Sequence, residues 1–209
     1  MGKLVVKMLQ VGAVCTNCYV AYHRDTKEGF IVDPGAEASR IASLVTSEGV
    51  DVKAILLTHG HFDHAGAAAE LEKLYHVSIY AHEAEKETME DMSLNLCGMI
   101  GKRETYHATD FVKDGDVLEI AGFSVKVLFT PGHTVGGVCY YIEKEQVLFS
   151  GDSLFCGSIG RTDFPKGSMS DLIRGVKDKL LVLPDYVNVY PGHNEMTTIG
   201  DEKCYNPYF

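Results

Sequence analysis

Apolar and polar residues alternate over positions 4–11 and again over 18–22, and Phe30-Ile31-Val32 is a short continuous apolar run. Period-two spacing predicts strands, because successive side chains of an extended backbone face opposite ways. Asp33-Pro34-Gly35 breaks this opening set. Over 36–48 the spacing of Ile41, Leu44 and Val45 predicts a helix, and Gly49 stops it. Residues 54–57 read as a short buried strand, and 65–75, rich in Ala, Leu and Glu, as a helix. A strand at 77–80 and a helix at 83–89 follow. Residues 91–106 show no clear period: Met92, Leu94, Leu96, Met99 and Ile100 are interrupted by Gly98 and Gly101. Strands resume at 117–120, 123–129, 138–142 and 147–149. A helix over 169–180 and a final strand at 187–190 complete the pattern. The irregular alternation, with antiparallel-looking β blocks in both halves, predicts an α/β layered fold and not a simple βαβ repeat. No low-complexity segment interrupts the chain, so residues 1–209 read as one domain.

Composition narrows the partners. A net charge of −10 argues against binding a phosphate backbone, which needs a basic surface. No apolar run approaches the roughly 18 residues of a membrane span. The N-terminal residues lack the apolar core of a secretory signal, which points to the cytoplasm. Six cysteines are scattered through the chain, and without a signal a disulfide framework is not expected. Cys15 and Cys18 form a C-x-x-C beside an apolar stretch, and read as buried thiols in a strand.

The chemistry lies just past the apolar runs. Thr58-His59-Gly60-His61-Phe62-Asp63-His64 follows the strand at 54–57; His133, Asp152 and His193 each follow another strand. Imidazole and carboxylate are the ligands that first-row divalent metals accept at neutral pH. His59 and His61, two apart, converge on one ion only if the turn is extended. Asp63 and His64 fall at the onset of a helix and can face a second. Taken singly, His133 or His193 is more often a core histidine than a ligand, Asp63 an N-cap and Asp152 a turn residue. All seven landing at strand ends by chance is a poor explanation. Seven ligands exceed the three or four of one catalytic zinc and suit two ions roughly 3.5–4 Å apart. His23, His76, His82 and His107 lack this setting. The tripeptide Pro-Gly-His occurs at both 131–133 and 191–193, as if each half delivered a ligand in the same way.

These residues resemble the metallo-β-lactamase superfamily, through the 58–64 motif, Thr130-Pro131-Gly132-His133-Thr134, Gly151-Asp152-Ser153-Leu154-Phe155 and Tyr190-Pro191-Gly192-His193. Gly157-Ser158-Ile159-Gly160-Arg161-Thr162-Asp163-Phe164 and Thr197-Thr198-Ile199-Gly200-Asp201-Glu202 look like the short, single-domain glyoxalase II-like (hydroxyacylglutathione hydrolase-like) members. The resemblance implies a four-layer αβ/βα sandwich with the metals at one edge. It places His59, His61 and His133 on one ion, Asp63, His64 and His193 on the other, and Asp152 between them.

It further implies a binuclear hydrolase of 2-hydroxyacyl thioesters such as lactoylglutathione, in which a metal-bridging hydroxide attacks the carbonyl and Asp63 and Asp152 are the catalytic carboxylates. The cofactors expected are two divalent ions, zinc first, with iron or manganese as alternatives. The full-length glyoxalase II of this family carries an extra C-terminal domain for glutathione, whereas here only residues 194–209 follow the last ligand. Arg161 is the candidate contact for a substrate carboxylate, against a plain ion pair with Asp163. Residues 92–101 are a candidate apolar lid, with core packing or packing for a homodimer as the alternatives. The competing readings are a persulfide dioxygenase with a single iron, which resembles the chain at 160–164, and a non-enzymatic metal-binding protein of the same fold. A β-lactamase is disfavoured by the missing export signal and by Asp63 with Asp152.

Overall fold

The computed structural model describes residues 2–209. Its first sheet contains β1 (Leu4–Val11), β2 (Thr16–His23), β3 (Glu28–Val32), β4 (Asp51–Leu56), β5 (Ser78–His82) and β6 (Asp110–Val112), in that spatial order. Strands β1 to β3 pair antiparallel, and β3 to β6 pair parallel. Helix α1 (Ala38–Glu48) makes the β3–β4 crossover. The short α2 (Phe62–Ala65) and α3 (Ala68–Tyr75) make the next, and α4 (Lys86–Glu90) follows β5.

The second sheet uses β7 (Val117–Ile120), β8 (Phe123–Phe129), β9 (Val138–Ile142), β10 (Val147–Gly151), β13 (Asn188–Pro191) and β14 (Thr197–Thr198), ordered β14-β13-β10-β9-β8-β7. Between β10 and β13 lie the small hairpin β11 (Leu154–Phe155) and β12 (Ser158–Ile159), then α5 (Met169–Gly175), which runs into a π-helical turn at Val176–Leu180. Helix α6 (Ile199–Tyr205) closes the chain.

Strand alternation divides the apolar residues into three layers. Cys18, Val20 and Tyr22 of β2 and Ile31 of β3 face α1 and α3, where Ile41, Val45 and Leu71 cover them. Tyr19, Ala21, Phe30 and Val32, from the same two strands, face the second sheet and meet Val125, Val127, Tyr140 and Phe149. Cys139, Tyr141, Leu148 and Val189 turn the other way, onto Leu172, Val176, Leu180 and Ile199. A helical layer, two sheets and a second helical layer therefore stack around three apolar seams, the αβ/βα sandwich that the resemblance implied. The central strands are buried on both faces: β2, expected to alternate, is buried at every position from Thr16 to His23.

The structure departs from the sequence reading in several places. The single helix expected over 65–75 is two pieces. Gly66 packs against the Gly35 carbonyl, and the Ala67 N–H donates to Pro34 O at 2.8 Å instead of continuing a helical ladder. The strand at 187–190 is not the last, since β14 pairs with it and α6 follows. Cys18 is buried as expected, but Cys15 is exposed, on a turn with φ of 57°. No disulfide links the cysteines.

Candidate metal centre

Every predicted ligand sits where a strand ends at the edge shared by the two sheets. The first sheet delivers the 58–64 segment from β4, and the second delivers His133 after β8, Asp152 after β10 and His193 after β13. Bonds between the sheets fix their relative height: Tyr140 Oη donates to Leu57 O at 2.9 Å and the Val138 N–H to Thr58 O at 2.9 Å. Asn17 and Tyr19 of β2 donate to Pro191 O at 3.0 and 2.6 Å, tying the His193 turn to the opposite sheet.

The donor atoms fall into groups within 4.8 Å of one another: His59, His61 and His133; Asp63, His64 and His193; and a third that links His59 and His64 to Asp152. His61 Nδ1 lies 3.1 Å from His59 Nε2 and 3.0 Å from His133 Nε2. In the other triad Asp63 Oδ2 lies 3.5 Å from His64 Nε2 and 3.3 Å from His193 Nε2. Imidazoles bound at about 2.0–2.1 Å to one tetrahedral ion stand roughly 3.4 Å apart, so both groups have the right span. Asp152 sits between them, with Oδ1 3.4 Å from His64 Nε2 and Oδ2 3.4 Å from His133 Nε2.

Two atoms test whether an ion fits. His64 Nε2 and Asp152 Oδ1 are buried without a hydrogen-bond partner. Buried polar atoms without partners are costly, and an ion between them would satisfy both. Electrostatics agrees. Burial, with the neighbouring His133, pushes His61 down to about 3, leaving its ring neutral and its lone pair available. Burial likewise lowers His59 and His133. Burial works against a proton on His64, yet Asp63, Asp152 and Asp33 outweigh it and raise its pKa well above the usual value. That corner attracts positive charge, whether a proton or a metal.

Neighbouring groups orient the rings. Asp33 Oδ2 accepts from the Thr58 hydroxyl at 2.7 Å and from His64 Nδ1 at 2.9 Å, while Oδ1 accepts from the Thr58 N–H at 2.8 Å. Because Thr58 Oγ1 donates to Asp33, it accepts from His59 Nδ1 at 3.1 Å. One carboxylate thus turns Nε2 of both His59 and His64 toward the cluster. His133 Nδ1 donates to the Arg161 backbone carbonyl at 2.6 Å. Thr16 Oγ1 donates to Asp63 Oδ2 at 2.8 Å. Glu85, fully buried, accepts the N–H of Gly60 at 2.7 Å and of Gly136 at 2.6 Å, cross-linking the His59–His61 turn to the loop that carries His133. Burial raises its pKa.

Asp33, Thr16 and Glu85 escaped the sequence reading. Asp33 carried a signal, since it follows the run Phe30-Ile31-Val32 as Asp152 follows its strand. Glu85, in Glu83-Ala84-Glu85-Lys86-Glu87, looks like part of a solvated helix face. Arg161 lines the cleft, but its guanidinium makes two bonds to Asp163, at 2.9 and 2.7 Å, and lies 4.3 Å from the Phe164 ring centre. The other histidines are engaged elsewhere. His23 and His82 accept backbone N–H groups, His76 ends α3, and His107 pairs with Glu72.

Two stacked sheets with a histidine–aspartate cluster on their common edge are the frame of a metal-dependent hydrolase. The sequence signature of the Metallo-beta-lactamase superfamily matches residues 11–193, and the chain belongs to that superfamily. It is 36% identical over 206 residues to the hydroxyacylglutathione hydrolase GloC of Haemophilus influenzae, covering 97% of each chain. Among solved structures, the BLEG-1 B3 metallo-beta-lactamase superposes with a TM-score of 0.92 at 39% identity, over 98% of this chain and 99% of the other. The di-iron-bound form of TTHA1623 gives 0.85 at 32% identity, over 98% and 100%. No helix among the described residues is long and apolar enough to cross a membrane.

Proposed function

We propose that the chain hydrolyses thioesters at a two-metal site. The observation that carries this reading is the position of Asp152, whose oxygens lie against His64 of one triad and His133 of the other. His59, His61 and His133 would hold one ion, Asp63, His64 and His193 the second, and Asp152 would bridge them. When bound, the metals, taken here to be zinc, would supply an acidified water and an electrophile for the acyl oxygen.

The protein's own groups do the rest. Asp33 and the Arg161 carbonyl hold the Nδ1 protons of His64 and His133 on the far side of the rings from the cluster. Asp63, whose burial is outweighed by His64, His193 and Thr16, stays ionised. The reaction joins a water oxygen to the acyl carbon and breaks the C–S bond. The products are a carboxylic acid and a thiol that leaves as the thiolate.

A thioester substrate is supported by the likeness to the hydrolase named GloC. Similar structures include one named a B3 metallo-beta-lactamase and one solved with two irons bound, so lactam and iron are the alternatives to exclude. The test runs purified, metal-analysed protein against lactoylglutathione, a β-lactam and glutathione persulfide. Free thiol released with two equivalents of zinc is the expected result. Oxygen uptake on the persulfide with stoichiometric iron, or turnover of the lactam alone, overturns it.

A further inference from the structure

The cluster forms the floor of a cleft of about 380 Å³. The walls above it are apolar: Val14, Leu96, Met99, Ile100, Phe155 and Phe164. Met99 is 67% exposed and Ile100 40%. Both belong to a 3-10 turn, Cys97–Ile100, entered and left through residues of positive φ, Leu96 at 63° and Gly101 at 72°. The turn is anchored from beneath. Asn95, fully buried, donates through its side-chain amide to Met89 O at 3.2 Å and Glu104 O at 3.0 Å, and its Oδ1 accepts the Cys97 N–H at 2.9 Å. The backbone carbonyl of Asn95 accepts the Phe62 N–H at 2.8 Å, one residue before Asp63. A buried polar network thus fixes the turn to the metal-binding segment while leaving its two largest apolar side chains outside the core, over the cleft.

Charge points the same way. The cationic side chain in the cleft wall is Arg161, and Asp163 already occupies its guanidinium through two bonds. Among the described residues, no unpaired lysine or arginine lines the cleft to receive the carboxylates of an anionic carrier, and the chain as a whole carries −10. Apolar walls over a polar floor suit a molecule with a hydrocarbon portion and one reactive carbonyl.

We propose that the cleft receives the hydrocarbon chain of an uncharged aliphatic acyl thioester, and that Met99 and Ile100 set its preferred length. This rests on the thioesterase reading above. Burying each added methylene should raise kcat/KM about twofold to fourfold until the cleft is filled.

The experiment uses zinc-loaded protein and the acetyl, butanoyl and hexanoyl thioesters of N-acetylcysteamine, an uncharged thiol, beside lactoylglutathione. A rise in kcat/KM along the series, flattened in Met99→Asp and Ile100→Asp at unchanged metal content, is the expected result. A flat or falling series, or lactoylglutathione preferred over the hexanoyl ester, overturns the proposal and leaves the thioesterase reading standing. So does a wild-type dimer that becomes monomeric in Met99→Asp with its chain-length series unaltered, since the turn is then a self-association seat. If no thioester is hydrolysed, the thioesterase reading falls. Calorimetry with the unreactive S-hexyl and S-ethyl thioethers of the same thiol then decides the cleft, and equal binding of the two overturns it.

Discussion

Asp33 Oδ2 stands 2.9 Å from His64 Nδ1, and the same oxygen accepts the hydroxyl proton of Thr58, the residue that orients His59. One carboxylate that is not itself among the candidate ligands thereby sets the tautomer of two that are. Asp33→Asn puts an NH2 group either against His64 Nδ1 and the Thr58 hydroxyl together or against the Thr58 N–H. If His64 Nδ1 must then accept, the ring proton moves to Nε2 and points into the cluster. Zinc affinity, measured by competition with a chelator, should fall about 10–100-fold with the fold retained. Unchanged affinity would remove Asp33 from this role.

Gly192 permits the tight approach of the His193 turn. A Cβ at this position would collide with Asp152 Oδ1 and lie 2.6 Å from His64 Cε1. Gly192→Ala should therefore melt as a folded protein while retaining little metal after dialysis. Full metal occupancy in the variant contradicts the packing described.

Asp152→Ala removes the group shared by both triads. Bound metal should drop by at least one equivalent, and turnover by on the order of 10²-fold or more, the scale of losing several kcal/mol of charge stabilisation. Metal analysis paired with kinetics on the same preparation checks it. A variant with full metal and full turnover would refute the bridging role.

Glu85→Gln keeps the size of the side chain but turns one of its two acceptors into a donor, facing either the Gly60 or the Gly136 N–H. An unpaired buried N–H costs about 1–3 kcal/mol. The effect should concentrate on the His59, His61 and His133 group. Cobalt spectra should show one of two binding steps weakened and the other kept. Equal weakening of both steps would mean a general loss of stability instead.

High pH should loosen the fold. Burial, partly offset by hydrogen bonds with Thr130 and Ser153, raises the Cys139 thiol from 9.0 to about 11. Burial, with the hydrogen bond to Glu48, raises the Tyr22 phenol from 10.0 to about 12. Each acid keeps its proton to higher pH in the folded chain than in the unfolded one. The associated stability is intact below pH 9 and is lost as pH rises through 9–11 for the thiol and 10–12 for the phenol. Urea midpoints measured from pH 8 to 12 should decline across that window, and less steeply in Cys139→Ala. A flat profile would count against both shifts.

The ligands were readable because each follows a strand long enough to show its period, and strand ends at a sheet edge converge by geometry alone. His133 follows seven residues of β8, and His193 ends a run closed by Pro191. The hairpin β11–β12 and strand β14 have two residues per strand, too few to carry a period. Helix α6 was missed for a related reason. Its buried positions are Ile199 and Glu202, and Glu202 is held by Thr197, Gly157 and Asn206 and not by apolar packing. Arg161 shows the other limit. Its side chain drew attention as a possible anion contact, whereas the bond nearest the cluster comes from its backbone carbonyl, which every residue type carries.

The turn over the cleft and the strand ends beneath it are built from separate stretches of chain. Between Asn95 and Gly101, Leu96, Met99 and Ile100 reach the cleft, whereas the hydrogen bonds that orient the rings run through Asp33 and Thr58. Mutation can rewrite this wall while Asn95 keeps its anchor, without altering the histidines or their tautomers. A lineage built on this plan can exchange one substrate for another through a handful of codons, and inherit the metal chemistry unchanged.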